Sequence, residues 1–374
     1  MSERRRVLFL ADQLGNGGAE RQLALTAREL PGNWERLVWA HKGGPYAAVI
    51  ERSGVEIDCG ARAWRHDPRR LTDLWRVART YRPSVIHSWG WTCSAAVGPE
   101  CRLAGMPLVD GTIRNATTRT YRSTGRRFGI AFADLVVANS QAGLDAWGID
   151  GRRGRVVFNG FDAQRLVHCG DSTSGQTEAP FVVCMIARMG PDKDFRSLLS
   201  AARRLALAEP GEWRFVAIGD GPQRDDLIAL AGDLIEKGTV EFAAGGLEPL
   251  GFLGGAHVGV LMTSASEGEG IPNAVMEYMS LGMPVVCSDS GGTTELVVPG
   301  ETGLIVPPED AQALVEALIY LKENRDERAR LGAAGRARLA ERFSVDRMVH
   351  DTVAVYEEAI ARRSRRRQTG GRHA

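Results

Sequence analysis

Two glutamates, Glu269 and Glu277, stand eight residues apart in the segment EGEGIPNAVMEYMSLGMP, residues 267–284. A Gly-Ile-Pro sequence between them precedes an apolar run that predicts a short helix, with Pro272 at its first helical position. The amides of a helix N-terminus attract anions, and a carboxylate accepts hydrogen bonds from neighbouring sugar hydroxyls. The segment can therefore bind both parts of a sugar nucleotide, although solvated helix-end glutamates would show the same spacing.

A second candidate group is a pair of cations, Arg188 and Lys193, in the sequence IARMGPDKDF directly after a predicted strand. Two positive charges at the carboxyl end of a strand can neutralise a diphosphate leaving group, whereas ordinary surface charges are the alternative. The acids Asp192 and Asp194 flank Lys193. Because Lys193 offsets their charge and Asp194 is placed to cap the next helix, we expect no metal site here.

The N-terminal half offers a glycine loop and a histidine. Gly17 and Gly18 lie in DQLGNGGAE between a predicted strand and helix, which is a phosphate-binding geometry, although GxGxxG is absent and turn sterics explain the glycines equally well. His87 ends another predicted strand beside two tryptophans. It is interpreted either as a base or hydrogen-bonding contact, or as a packed histidine.

The segment 117–132, TTRTYRSTGRRFGIAF, mixes arginines with aromatic residues. Such a segment is typical of a surface that rests on anionic lipid, and an arginine-rich face packed on the sheet is the alternative. Nucleic acid binding fits less well, because no known motif is present and the net charge is only +1. The charge is uneven, with a basic excess in residues 1–165 and an acidic excess beyond them.

Apolar runs alternate with helical stretches along the chain. In the first half, strands are predicted at 5–11, 35–41, 55–58, 84–88, 107–113 and 134–139, with helices between them, including one at 116–132. Residues 154–162 add one more strand and a turn. The pattern repeats from residue 181. Strands separated by helices form parallel sheets covered on both faces, so we expect an α/β protein with two Rossmann-like domains. Ligands then bind at the carboxyl ends of the strands, in the cleft between the domains.

Composition predicts the domain boundaries. Residues 1–165 form the first domain, the apolar-poor residues 166–179 a linker, and residues 180–344 the second domain. A final helix at 345–363 follows the completed second domain and is expected to cross back to the first. The charged, glycine-rich residues 364–374 are expected to be disordered.

The length, composition and cysteine count exclude several classes of protein. The 374 residues are 44% hydrophobic and 25% charged, which is a globular composition, and no apolar run is long enough to span a membrane. The six cysteines form no CxxC pattern, so neither a disulfide framework nor a zinc site is indicated. The short apolar stretch after the basic N-terminus predicts a strand rather than a signal peptide, and therefore a cytoplasmic protein.

Together these segments resemble the family-4, or group 1, glycosyltransferases of the GT-B fold. The resemblance rests on GNGGAERQL, FNGFD, IARMGPDKDF, the E-x7-E sequence EGIPNAVME, and GMPVVCSDSGGTTELVVPGETGLIVPP, and it runs along most of the chain. It implies a GT-B protein that transfers a sugar from a nucleotide donor with retention of configuration, without a metal and without a cofactor, since the donor is a substrate.

The resemblance also assigns roles to residues. Those matching Arg188 and Lys193 hold the donor diphosphate, the one matching Glu269 contacts the transferred sugar, and the one matching Glu277 binds the ribose. Catalysis would rest on Arg188, Lys193 and Glu269. Backbone groups of the donor site would come from Gly17, Gly18, Gly270, Ile271, Pro272 and Asn273.

The chain departs from the family at its histidines. Many members carry His-x-His where this chain has His87-Ser88-Trp89, and some have a sugar-contacting histidine where this chain has Arg114 and Asn115. No catalytic histidine is therefore assigned, and His87, Arg114 and Asn115 remain candidates for contacts with the acceptor or the sugar.

The expected partners are a UDP- or GDP-sugar and a saccharide or lipid-linked acceptor of cell-envelope polysaccharide synthesis. The protein is expected to be cytoplasmic, with peripheral contact to the inner face of the membrane. A sugar-nucleotide epimerase or hydrolase of the same fold, and a non-catalytic nucleotide-sugar binding protein, are the alternatives.

Overall fold

The computed structural model describes residues 4–60, 69–118, 123–163, 165, 180–245 and 253–370. The chain divides into two compact units, the first formed by residues 1–160 and 345–374 and the second by residues 161–344. Each unit contains one sheet in which every pair of neighbouring strands is parallel. The expected α/β class with two parallel-sheet domains is therefore confirmed.

The first sheet is built from short, apolar strands with helices between them. The strands are β1 (Arg5–Ala11), β2 (Trp34–Ala40), β3 (Glu56–Cys59), β4 (Val85–Ser88), β5 (Leu108–Ile113), β6 (Leu135–Ala138) and β7 (Gly154–Val156). The helices are α1 (Gly18–Glu29), α2 (Pro45–Arg52), α3 (Arg69–Tyr81), α4 (Trp91–Ala104), α5 (Ser123–Phe132) and α6 (Gln141–Trp147). The strand order is β3-β2-β1-β4-β5-β6-β7, so the direction of winding reverses between β1 and β4.

The second sheet repeats this plan. Its strands are β8 (Phe181–Ile186), β9 (Trp213–Ile218), β10 (Val240–Ala243), β11 (Val258–Leu261), β12 (Val285–Ser288) and β13 (Leu304–Val306). Its helices are α7 (Phe195–Ala208), α8 (Arg224–Leu230), α9 (Gly232–Glu236), α10 (Asn273–Ser280), α11 (Thr293–Leu296), α12 (Ala311–Glu323) and α13 (Arg325–Arg342). The strand order β10-β9-β8-β11-β12-β13 reverses between β8 and β11. Ligands of such sheets bind outside the carboxyl ends of the strands at this reversal.

The last helix, α14 (Val345–Gly370), packs against α1, β4 and β5 of the first unit. Arg363 on α14 is buried, and it donates hydrogen bonds to the Cys101 carbonyl at 2.5 Å and to the Asp134 carboxylate at 3.4 Å. Glu358 accepts hydrogen bonds from Arg155 at 2.6 and 2.8 Å. The helix therefore contributes side chains to the core and the edge of the first unit.

Three expectations about boundaries differ from the structure. Residues 161–163 and 165 group with the second unit, because Phe161 donates a hydrogen bond to the Phe343 carbonyl at 2.8 Å. Helix α14 continues through Gly370 instead of ending at 363, because its arginine-rich end has good helix propensity and no proline. Helix α5 is described from Ser123, and residues 116–118 are not helical, because the β-branched Thr117 and Thr118 favour extended backbone. The predicted linker 166–179 lies outside the described residues.

Among the described residues, no helix combines the length and the apolar composition that crossing a bilayer requires. Four of the five cysteines in the described part are buried, including Cys184 and Cys287 inside strands. All four are therefore small core residues, and for Cys184 and Cys287 the apolar runs around them in the sequence predict this.

Candidate active site

Two loops at the carboxyl edge of the second sheet are joined by backbone pairing. Lys193 forms an antiparallel bridge with Thr263, just beyond β11, and the N–H of Asp194 donates to the Met262 carbonyl at 3.0 Å. The turn before Lys193 closes through a hydrogen bond from its N–H to the Gly190 carbonyl at 3.0 Å. The segment that carries the two predicted cations is therefore held at the β8–β11 reversal, where a ligand is expected.

Lys193 and Glu269 are brought into direct contact. The Lys193 ammonium pairs with Glu269 Oε1, and the Thr263 hydroxyl donates to the same oxygen at 2.9 Å. Only 14% of the Lys193 side chain and 13% of the Glu269 side chain are exposed. Burial lowers the pKa of Lys193 to about 8, against the opposing attraction of the Asp192 carboxylate. The pair is thus a poorly solvated site in which a charge acts strongly on a neighbouring ligand.

Arg188 occupies a more exposed position on the same loop. Its side chain is 61% exposed, and its guanidinium contacts the Asp192 carboxylate. The cap predicted for α7 is confirmed, because Asp194 Oδ1 accepts a hydrogen bond from the Ser197 N–H at 3.0 Å. Both carboxylates of the Asp-Lys-Asp sequence are therefore engaged by protein groups, one by a cation and one by a helix.

The residues before α10 form a buried turn. Gly270, Ile271 and Pro272 are buried, and Asn273 begins the helix, so Pro272 is its N-cap and not its first helical residue. The difference follows from the extended backbone of Pro272, with φ −77° and ψ 120°. The backbone of Glu269 is held by two hydrogen bonds. The Glu269 N–H donates to Ser290 Oγ at 3.3 Å, and the Glu269 carbonyl accepts from the Gly292 N–H at 2.9 Å.

Glu277 is buried inside the unit and is not a solvated helix-end charge. It is 1% exposed, and its Oε1 accepts a hydrogen bond from Arg165 Nη1 at 3.1 Å. Arg165 is itself largely covered, with 13% of its side chain exposed. The sequence analysis did not predict Arg165, because 112 residues separate it from Glu277 and no spacing rule connects them.

The glycine loop of the first unit precedes α1. Gly17 is the N-cap of α1, and Gly18 is its first residue. A methyl group at Gly17 would overlap the carboxylate of Glu20, which lies in the first turn of the helix. The N-terminus of α1 therefore already faces a carboxylate of its own chain, and an anion bound there would have to displace Glu20.

His87 ends β4 and is 2% exposed. Its Nδ1 lies 2.7 Å from the hydroxyl of Tyr356 on α14, and its Nε2 has no hydrogen-bond partner among the residues that the structure describes. Burial, and to a smaller degree the charge of Arg114, keep the pKa of His87 well below its ordinary value. His87 is thus a packed, neutral histidine. The contact with Tyr356 was not foreseen, because it joins residues 269 positions apart.

Beside His87 lies a cavity of about 10 Å³, which is roughly the space that one water molecule needs. Arg114 follows β5 and lines the same cavity, with its guanidinium stacked on Trp89, while Asn115 is exposed. The structure therefore brings His87 and Arg114 together at the carboxyl edge of the first sheet. Asn115 is adjacent in the chain but points to solvent.

The buried histidine predicts a pH dependence of stability. Below about pH 6.5 the unfolded chain binds a proton that folded His87 resists, so the free energy of unfolding should fall by up to about 1.4 kcal/mol per pH unit. Denaturant titrations between pH 7 and 5 measure this slope. His87→Gln should remove the contribution, whereas His350→Gln, at an exposed histidine of α14, should retain it. An unchanged slope in His87→Gln would contradict the assignment.

Two family models match the chain. Residues 172–338 match the model described as Glycosyl transferases group 1, and residues 16–165 match Glycosyltransferase Family 4. The lipopolysaccharide core biosynthesis glycosyltransferase LpsE of Rhizobium meliloti (strain 1021) is 34% identical over 272 residues, covering 72% of this chain and 74% of LpsE. The lipopolysaccharide core biosynthesis mannosyltransferase LpsB of the same strain is 28% identical over 257 residues, covering 64% and 70%.

The fold is similar to that of HepE from Anabaena. The crystal structure of HepE in complex with UDP and glucose superimposes with a TM-score of 0.82 at 21% identity, covering 94% of this chain and 99% of HepE. This likeness confirms the expected GT-B fold, since both units take part in it. The chain belongs to the family-4, group 1 glycosyltransferases and is itself a glycosyltransferase.

Proposed function

We propose that the protein transfers a sugar from a UDP- or GDP-sugar to a saccharide or lipid-linked acceptor, with retention of configuration and without a metal or cofactor. The observation that carries this proposal is the poorly solvated group of Lys193, Glu269 and Thr263 at the strand reversal of the second sheet. It combines a cation for phosphate oxygens with a carboxylate for sugar hydroxyls, which are the two chemistries of a nucleotide sugar.

In the proposed reaction, the bond between the anomeric carbon and the diphosphate oxygen breaks while the acceptor oxygen bonds to the same face of that carbon. The acceptor hydroxyl gives its proton to the leaving diphosphate, so no strong protein base is needed. Lys193 and Arg188 stabilise the charge that develops on the leaving group. His87 takes no part as a base, because it is buried and hydrogen-bonded to Tyr356.

Support for the substrates comes from the relatives. HepE has been crystallised with UDP and with UDP-glucose, and LpsE and LpsB are named for lipopolysaccharide core biosynthesis. We therefore propose an acceptor in lipopolysaccharide or another cell-envelope polysaccharide, and a cytoplasmic enzyme at the inner face of the membrane. Glu277 would bind the ribose of the donor, and the backbone between Gly270 and Asn273 would face its sugar or phosphates.

A thermal-shift screen tests the donor assignment. UDP, GDP, ADP and their sugar conjugates are each added with and without EDTA, and a ligand at a hundredfold excess over its Kd should stabilise the protein by about 2.7 kcal/mol. We expect one nucleotide to act, equally with EDTA, and its effect to be lost in Glu277→Gln. Product analysis with that donor then checks the transfer. A response to no nucleotide, or one abolished by EDTA, would contradict the proposal.

We also propose that the exposed side of α5 contacts anionic lipid. Arg127 is exposed and Phe128 is 50% exposed on this helix, and Leu103 on the neighbouring α4 is 85% exposed. Exposed cationic and apolar side chains on one helix, beside a second helix with an exposed leucine, favour an anionic bilayer interface. In flotation with phosphatidylglycerol vesicles, Phe128→Glu should lower the bound fraction, and Leu207→Glu in the second unit should not. Absence of wild-type binding would refute this surface.

A further inference from the structure

Arg114 is a cation without a paired carboxylate at the carboxyl edge of the first sheet. It follows directly on β5, and its Nε donates to the Gly111 carbonyl at 2.8 Å. Its guanidinium carbon lies 3.7 Å from the centroid of the Trp89 ring. Within the described part of the chain, no carboxylate forms a salt bridge with Arg114, and no protein oxygen accepts a hydrogen bond from its two Nη atoms.

The surroundings hold this guanidinium in place. A Cβ atom at Gly111 would lie 2.5 Å from His87 Nε2 and 3.2 Å from Arg114 Nη2, so the missing side chain at Gly111 lets both groups converge on the same point. His87 is in turn held by the Tyr356 hydroxyl at 2.7 Å. The guanidinium of Arg114 is therefore stacked on Trp89 and held at its edge by Gly111 and His87. Its Nη donors have no acceptor in the described part of the chain.

The charge of Arg114 is opposed by an acid with which it forms no salt bridge. This acid, Asp110, is fully buried; its Oδ1 accepts hydrogen bonds from the N–H and hydroxyl of Thr112 at 3.0 and 2.7 Å, and its Oδ2 has no partner among the described residues. Burial lowers the pKa of Arg114 to about 9, although Asp110 and Tyr356 oppose this effect. A partly desolvated cation that lacks a contacting anion is costly to the folded protein, and a bound anion would offset that cost.

A purely structural role accounts for only part of this arrangement. Closing the turn after β5 uses Nε alone, and stacking on Trp89 uses the face of the guanidinium. The planar fork of Nη donors matches a carboxylate or a phosphate in two parallel hydrogen bonds. Arg114 also lies near the place where parallel sheets bind their ligands. The winding reverses between β1 and β4, and Arg114 follows β5, which pairs with β4.

We propose that Arg114 selects an anionic saccharide, by binding a carboxylate or phosphate group on the acceptor that the first unit holds. This inference rests on the proposed function and adds the substrate class to it. Trp89 and Gly111 are positioning residues, since they set the direction of the guanidinium. A neutral saccharide would leave the Nη donors without their anionic partner and would bind more weakly.

The test compares three sugars that differ only at carbon 6, namely glucose, glucuronate and glucose 6-phosphate. Their Kd values are measured by ligand-observed NMR on the full chain, with UDP and GDP present so that the donor site is not counted. We expect the wild-type protein to bind at least one anionic sugar 10- to 100-fold more tightly than glucose. Tighter binding of glucuronate would identify a carboxylate as the recognised group, and tighter binding of glucose 6-phosphate would identify a phosphate. A titration with inorganic phosphate alone measures anion binding without a sugar.

Variants decide whether Arg114 is responsible. Arg114→Gln should abolish the preference for the anionic sugar, and Arg114→Lys should retain part of it, because lysine keeps the charge but loses the fork. The control is Arg5→Gln, which removes another cation of the first unit near a tryptophan, 5.6 Å from the Trp34 ring. If Arg114→Gln does not fold, the Arg114→Lys variant alone must show a reduced preference.

Equal binding of all three sugars, binding of none, or a preference that survives in both Arg114 variants would overturn the inference. Such a result leaves the donor site unaffected, because the thermal shift with nucleotides reports on the second unit. Failure of every nucleotide to bind would instead reject the proposed function, whatever the sugars do.

Discussion

Replacing Lys193 with alanine is expected to lower kcat by about 10²- to 10³-fold, the effect of removing one charge-stabilising group from an active site. The expectation is large because the ammonium is only 14% exposed, and electrostatic interactions strengthen where water is excluded. The measurement is steady-state transfer with the donor that the nucleotide screen identifies. A change in kcat with little change in KM would place the interaction in the transition state.

Two matched variants make the Lys193 result specific. Arg188→Ala should have a smaller effect, because its side chain is 61% exposed and already contacts Asp192. Arg196→Ala, at an exposed arginine in the first turn of α7, should leave both kcat and KM unchanged. A similar loss of kcat in all three variants would indicate that the loss follows from the change in net charge and not from the position of Lys193. A kcat for Lys193→Ala within a few fold of wild type would reject the leaving-group role.

Replacing Arg165 with alanine is expected to destabilise the protein by roughly 3–5 kcal/mol, the usual effect of removing one partner from a buried ion pair. Glu277, which is 1% exposed, would lose the contact that Arg165 Nη1 makes at 3.1 Å and would keep a charge away from water. Chemical denaturation measures the change. Because Glu277 is also the proposed ribose ligand, nucleotide affinity should fall in the same variant.

The control for Arg165 is an ion pair of the same unit at the surface. Arg203 pairs with Asp233 at 2.7 Å, with 38% and 50% of the two side chains exposed, so Arg203→Ala should cost less than about 1 kcal/mol. The double variant Arg165→Ala with Glu277→Gln should recover part of the lost stability, since Glu277→Gln removes the buried charge that Arg165 contacts. Equal costs for Arg165→Ala and Arg203→Ala would show that the 165–277 pair is not effectively buried.

Most of the secondary structure could be predicted because parallel strands buried on both faces appear as short continuous apolar runs. Strands β1 and β4, RRVLFLA and VIHS, were predicted at 5–11 and 84–88, within one residue of their bounds. The start of α5 and the end of α14 were wrong, because the limits of a helix depend on local turn chemistry that periodicity does not describe.

The candidate site was predictable where one local segment carries the chemistry. The cap at Asp194 follows from its place before α7. Lys193 was predicted from its position after a strand and Glu269 from its position before a helix, and their roles at the donor remain predictions. Sequence alone could not show that these two residues touch each other, because 76 positions separate them and the β8–β11 pairing brings their loops together.

The two alternating β/α units and the family follow from the amino-acid sequence, which also predicts the residues proposed to bind a nucleotide sugar. Which charged side chains pair, and with which partners, depends on the packing of the folded chain. Arg165 pairs with Glu277, Tyr356 holds His87, and the Nη donors of Arg114 find no acceptor among the described residues. The physical reason is that apolar patterning and turn chemistry act over a few residues, whereas the pairing of a buried charge depends on groups that only the packing of distant elements brings within 3 to 4 Å.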